Sequence, residues 1–217
     1  MEVNLSKHVN DFISKVGNID HGQNAMFNSE LYVVYALYKE LNCNLFIESG
    51  IDYGVSTIKY LNLIYDEYIG LDINEHCAGK YIKANNFKFI CGEANNIIKL
   101  LVEERRGKNI FIMIDGPKGH DAIQLKNKLL ENDDVKIVAI HDTYDGLEDE
   151  NHLRIFETKS NKEYYEKYFE LLNRGNNNNM TTVYNLKNNL LPKTYVECYP
   201  TGPGVSVYSK IKIKINL

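Results

Sequence analysis

Cysteine is scarce in this 217-residue chain, and its four copies, Cys43, Cys77, Cys91 and Cys198, never form a C-x-x-C pair. That scatter argues against a zinc site and against a disulfide framework, and it suits a reducing compartment. The expected role of all four is as small buried apolar residues. Basic runs are missing too: 25 Lys and Arg stand against 29 Asp and Glu, for a net charge of -4. A protein that grips nucleic acid through its phosphates needs a cationic face, so a small-molecule partner is the better expectation. No segment approaches the ~20 apolar residues of a membrane span, and "MEVNLSKHVNDF" lacks the apolar core of a signal peptide. The expected setting is cytoplasmic, with no membrane partner. Neither an internal repeat nor a linker divides the sequence, so residues 1–217 are read as one domain. Within it, 1–44 form a helical N-terminal region and 143–193 an insertion.

What the chain does have is 44% hydrophobic residues, enough for a normal core. "LFIES" (45–49) and "NIFIMID" (109–115) are short, rich in β-formers and end in polar residues. Strands buried on both faces read this way, because helices cover both sides of a parallel sheet. "EYIGLDI", "FKFICG" and "VKIVAIHD" are further strands. Helical spacing of apolar residues follows in "STIKYLNLIY", "EANNIIKLLVEER" and "DAIQLKNKLLEN", with a weaker helix in "EHCAGKYIKAN". Upstream, "NSELYVVYALYKELN" is a helix for which Ser29 is the expected N-cap. The alternation implies a parallel, doubly wound sheet with right-handed crossovers. "TYVECYP", the turn "TGPG" and "VSVYSKIKIKI" then form an antiparallel hairpin, which makes a seven-stranded mixed sheet of the α/β class.

Ligands of an open parallel sheet bind beyond the carboxyl ends of the strands. There the chain delivers Glu48, Ser49, Gly50, Gly54, Ser56 and Thr57 after the first core strand, and Asp72 after the second. Gly92, Glu93 and Ala94 follow the third, Asp115 the fourth, and His141 with Asp142 the fifth. Capping of the next helix explains any one of these, but less readily the whole set. Gly50 and Gly54 let backbone pass close to a ligand, yet G-x-G-x-x-G is absent: Asp52 stands where its second glycine belongs. A carboxylate there repels a pyrophosphate, which disfavours NAD and FAD. Asp72, 22 residues past Gly50, has the place of an acid that receives two ribose hydroxyls. A ribose-bearing ligand without phosphates fits best, and S-adenosylmethionine meets that description.

In order, "FIESGIDYGVST", "YIGLDIN", "FICGEANNIIKLL" and "FIMIDGPKGHDA" resemble the motifs of class I S-adenosylmethionine-dependent methyltransferases, over roughly residues 45–214 with 143–193 unmatched. The resemblance implies a Rossmann-like fold. It also places Glu48 and the Gly50 region at the methionine end, Asp72 on the ribose, and Gly92, Glu93 and Ala94 beside the adenine. For Glu93 a place near the helix N-cap, favoured by the dipole, competes with adenine contact. Asp115-Gly-Pro-Lys118 is similar to the Asp-x-x-Lys pattern of the metal-dependent, catechol-type O-methyltransferases. That partial similarity implies Lys118 as base and magnesium held by Asp115, Asp142 and a third ligand, here Thr143 in place of asparagine. A hard cation on carboxylate oxygens stabilises an alkoxide, and a lysine beside cations loses its proton more easily. His141 is read as a structural histidine, as base or as ligand, His120 as a helix cap, and Lys118 also as an ordinary solvated lysine.

The expected activity is O-methylation of a small hydroxylated acceptor, with a saccharide preferred. Acceptor selection is expected from the first forty residues and from 143–193, where Tyr164, Tyr165 and Tyr168 share helical spacing. A homodimer is compatible with this reading. A metal-independent enzyme using Asp115 and His141, and a cofactor-binding partner protein without turnover, are the alternatives. A nicotinamide-dependent sugar-modifying enzyme is disfavoured by Asp52.

Overall fold

The computed structural model describes residues 2–16, 26, 28–141, 181–185, 194–199, 202–211 and 213–216. From the N-terminus these form β1 (Glu2–Asn4), α1 (Val9–Val16), α2 (Asn28–Glu40), β2 (Leu45–Ser49), α3 (Val55–Leu63), β3 (Glu67–Asp72) and β4 (Phe87–Cys91). Then come α4 (Ala94–Glu104), β5 (Ile110–Ile114), α5 (Gly119–Leu129), β6 (Val135–His141), β7 (Thr181–Asn185), β8 (Thr194–Tyr199), β9 (Gly202–Tyr208) and β10 (Lys214–Asn216).

The main sheet runs in the order β4-β3-β2-β5-β6-β9-β8-β7. Strands β2 to β6 pair in parallel, whereas β9 lies antiparallel between β6 and β8. The seven strands expected from the sequence are present as a mixed, mostly parallel Rossmann-like sheet. An additional strand, β7, pairs antiparallel with β8 at the edge.

Alternation along the strands divides the apolar residues between two faces. Phe46, Tyr68, Phe111 and Ile137 pack under α1, α2 and α3, while Leu45, Ile47, Ile112 and Ile140 pack under α4 and α5. Phe46 is the hub of the first layer: its ring stacks on Phe111 at 5.3 Å and 17° and meets Tyr60 at 4.9 Å. Each buried aromatic side chain of this kind contributes roughly 1.5–3 kcal/mol by leaving water. The hub ties β2 and β5 together near their amino ends. Because the chain winds from β2 out to β4 and then back to β5, the crevice between β2 and β5 is the topological switch point.

Several details differ from the sequence expectation. The weak helix after β3 is only a 3-10 turn, Ala78–Tyr81. The reason is close packing: a Cβ on Gly79 would lie 2.5 Å from Ile51. Helix α2 begins at Asn28, so Ser29 sits inside its first turn rather than at the cap. The last expected strand splits. It ends at Tyr208, and β10 pairs in parallel with β1 in a separate two-stranded sheet. Cys43 and Cys77 are buried, but Cys91 is exposed, because β4 is the sheet edge. No helix among the described residues is long and apolar enough to cross a membrane.

Candidate functional site

A cavity of about 300 Å³ opens at the switch point. Its floor is Ser49 and Gly50 at the end of β2, and its walls come from the ends of β3 and β4, the turn after β5 and the first turn of α5. The floor is tightly built. Asp115 and Gly116 both donate backbone N–H to the Ser49 carbonyl, at 2.9 and 3.2 Å, and Gly50 donates to the Leu71 carbonyl at 2.8 Å. Gly50 has φ +80°, and a Cβ there would fall 2.7 Å from the Gly116 nitrogen. Only glycine lets the two loops approach this closely without strain. The buried Ser49 hydroxyl has no hydrogen-bond partner among the described residues, although it lies at the cavity floor.

Three carboxylates line the walls: Asp72, Glu93 and Asp121. Asp72 accepts N–H bonds from Asp52 at 2.9 Å and Asn74 at 2.8 Å, which fixes its orientation beside the exposed Ile73. Glu93 occupies the N-cap of α4 without capping it; its carboxylate accepts instead from Asn96 Nδ2 at 3.0 Å. Gly92 and Ala94 flank it in the same wall. Such an acidic lining favours a cationic ligand and opposes a polyphosphate.

Beside the floor lies an acid-base cluster. Asp115 Oδ1 accepts from Lys118 Nζ and lies 2.9 Å from His141 Nδ1. On its far side the imidazole presents Nε2 to Glu30 Oε2 at 3.6 Å. Burial by itself lowers the His141 pKa, but the Glu30 charge and the hydrogen bond to Asp115 outweigh it and push it up to about 10. Burial would raise the Asp115 pKa, yet His141 and Lys118 hold it below the ordinary carboxylate value. Lys118 remains half exposed, at 49%.

Glu30 is the residue that sequence reading missed. It starts a helix whose next residues, "LYVVYALY", carry no charge and are all buried. A carboxylate abutting a run buried on every side has to find a partner inside, and that was the available signal.

The structure brings Ser49, Gly50, Asp72, Gly92, Glu93 and Ala94 together around the cavity, with Asp115, Lys118 and His141 clustered at the turn beside its floor. It does not bring Glu48, Ser56 and Thr57 into that wall. Glu48 is 3% exposed and accepts from Thr57 Oγ1 at 2.6 Å and from the Tyr68 hydroxyl. Desolvation pushes its pKa up to about 7 against those two hydrogen bonds. Ser56 Oγ accepts from the Met26 N–H at 2.9 Å, and Gly54 caps α3 at φ 72°. His120 lies inside α5, its ring 2.7 Å from Gln124 Nε2. Asp142, Thr143, Tyr164, Tyr165 and Tyr168 lie outside the described residues. Among the described residues no group of three His, Cys, Asp or Glu side chains is arranged to hold a metal ion. Asp115, the one expected magnesium ligand among the described residues, has Oδ1 shared between an imidazole and an ammonium.

No protein-family model and no curated protein matches the chain. Solved structures do. The chain is similar to the SAH-bound methyltransferase of Podospora anserina, with TM-score 0.50 and 13% identity over 95% of this chain and 88% of that one. It is also similar to the O-methyltransferase of Bacillus cereus in complex with SAH, with TM-score 0.50 and 12% identity over 95% and 90% of the two chains. At such identities the likeness speaks for the fold alone: the chain has the Rossmann-like fold of class I S-adenosylmethionine-dependent methyltransferases.

Proposed function

We propose that the chain is an S-adenosylmethionine-dependent methyltransferase acting on an oxygen of a small hydroxylated acceptor. The observation that carries this reading is the cavity itself: a carboxylate-lined pocket at the switch point, with a fixed aspartate at the end of β3. Asp72 would receive the ribose hydroxyls, Gly92 to Ala94 would border the adenine, and Ser49 and Gly50 would meet the amino acid end. Bound there, S-adenosylmethionine supplies an electrophilic methyl carbon on a cationic sulfur.

The acid-base cluster then deals with the acceptor's proton. Lys118 is the group that takes the proton from the acceptor hydroxyl, and Asp115 holds the ammonium formed. His141 fixes Asp115 at the same Oδ1 atom and keeps its carboxylate ionised. Orientation of the acceptor beside the cavity supplies most of the rate.

Isothermal calorimetry with S-adenosylmethionine, S-adenosylhomocysteine and NAD tests the reading before any acceptor is known. The two adenosyl ligands are expected to bind and NAD is not. Asp72→Ala, which removes a charged hydrogen-bond acceptor, is expected to raise their Kd by roughly 10- to 100-fold. Binding of NAD in preference, or binding indifferent to Asp72→Ala, rejects it.

A further inference from the structure

The acid-base cluster is a chain of contacts that runs from the core to the solvent. The Glu30 side chain is 0% exposed, His141 11%, Asp115 32% and Lys118 49%. Each member touches the next. Glu30 Oε2 lies 3.6 Å from His141 Nε2, His141 Nδ1 lies 2.9 Å from Asp115 Oδ1, and the same oxygen accepts from Lys118 Nζ. The inner end of the chain is fixed, because residues 30–38 of α2 are all buried. Just upstream, the Met26 N–H donates to Ser56 Oγ at 2.9 Å, and the Met26 sulfur accepts from the Tyr60 hydroxyl at 3.5 Å. Glu30 thus starts from a segment anchored on α3.

Asp115 Oδ1 is pulled two ways. Lys118, half exposed on a flexible stem, draws the carboxylate toward water, whereas His141 draws it inward. The inward pull lasts only while the imidazole keeps its orientation. With a carboxylate at each ring nitrogen, the ring cannot turn over without giving up both contacts; with one acid removed, it can turn and offer carbon to Asp115. Burying an imidazole and a carboxylate costs more desolvation than an apolar pair of similar size, so stability alone is a weak reason for Glu30 to be there. We infer that Glu30 is a positioning residue. Acting through His141, it keeps the Asp115 carboxylate beside the cavity floor, within the field of the cofactor's cationic sulfur, instead of letting it follow Lys118 into solvent. This inference rests on the proposed cofactor and brings a residue of α2, outside the cavity wall, into the machinery that serves it.

Calorimetry with S-adenosylmethionine and S-adenosylhomocysteine reads the placement of Asp115, since the two ligands differ by one methyl group and its positive charge. Wild type is expected to prefer the cation by about tenfold. Glu30→Gln and Glu30→Asp are both expected to cut that preference by about threefold or more. Both should bind S-adenosylhomocysteine within about twofold of wild type, because Glu30 does not line the cavity. Glu30→Asp is the discriminating variant: it keeps the charge but is one methylene short of His141, and it carries the test where Glu30→Gln does not fold. Asp115→Asn, which leaves the buried pair in place, is expected to lose the preference as well, and adding a Glu30 substitution to it should change nothing further. A wild-type preference in Glu30→Asp means that charge alone matters and overturns the inference. An undiminished preference in Asp115→Asn, or equal affinity of wild type for the two ligands, also overturns it while leaving the cofactor reading standing. Failure of wild type to bind either ligand overturns both.

Discussion

Glu30 and His141 meet inside the protein, carboxylate to imidazole at 3.6 Å, although one opens α2 and the other closes β6. With Asp115 at 2.9 Å on the other nitrogen, the ring is clamped between two acids contributed by separate elements. A buried imidazole would ordinarily lose its proton; here the flanking charge keeps it.

Glu30→Gln is therefore expected to pull the His141 pKa down from about 10 toward or below its ordinary 6.5. A pH titration of the imidazole signals by NMR measures this. The stability effect has a definite sign. A raised histidine pKa gives stabilisation that is complete below pH 6.5 and fades as pH climbs toward 10. The variant should be less stable by about 3–5 kcal/mol near pH 6.5, in line with loss of one partner of a buried pair, and the gap should narrow at high pH. A gap that stays constant from pH 6.5 to 10 contradicts the clamp.

Glu48 runs with the same sign from a different cause. Its carboxyl is buried under the β2 loop between Thr57 and Tyr68, and desolvation lifts its pKa from 4.5 to about 7. The folded state holds the proton more tightly than the unfolded chain, so the contribution is full below pH 4.5 and lost as pH rises through about 7. Glu48→Gln imitates the protonated form. In urea melts it should match wild type to within ~1 kcal/mol at pH 5.5 and become the more stable protein at pH 8.5, by up to ~3 kcal/mol. Equal denaturation midpoints at pH 8.5 would show that Glu48 is neutral there for some other reason, or is solvated.

Strands β2, β3, β5 and β6 could be read from the sequence because burial on both faces leaves an uninterrupted apolar run, as in "LFIES" and "FIMI". Helices α3 to α5 keep a clear apolar stripe for the same reason in another period. The turn Ala78–Tyr81 could not be read so, because its geometry follows from Gly79 packing on Ile51, a contact between segments. The parallel pairing of β1 with β10 joins the two ends of the chain, and no local pattern announces it. The places of Asp72, Gly92 and Asp115 were legible because Asp72 ends a strand and the other two directly follow one. The inward turn of Glu48 was not, since strand position alone does not say which side a side chain takes at the last residues. Glu30 comes from an N-terminal helix that the strand-end rule does not cover.

Gly50 and Gly107 offer a matched pair for measuring how much the crossing of β2 and β5 contributes to the site. Both have positive φ, +80° and +83°, so alanine at either carries a similar backbone cost of about 1 kcal/mol. A Cβ at Gly107 meets nothing within 4 Å, whereas one at Gly50 would lie 2.7 Å from the Gly116 nitrogen and 2.9 Å from the Asp115 carbonyl carbon. Those are backbone atoms and cannot swing aside. Gly50→Ala is expected to lose a further 1–3 kcal/mol, roughly the cost of overpacking a close contact. The two loops must also separate, and Asp115 moves with its loop, away from His141. Urea melts should rank the variants in that order. Calorimetry with S-adenosylhomocysteine should show weakened binding in Gly50→Ala and unchanged binding in Gly107→Ala, which lies at the other end of β5. Equal losses of stability in the two would mean that the loops part freely, and that the tight floor is not what positions Asp115.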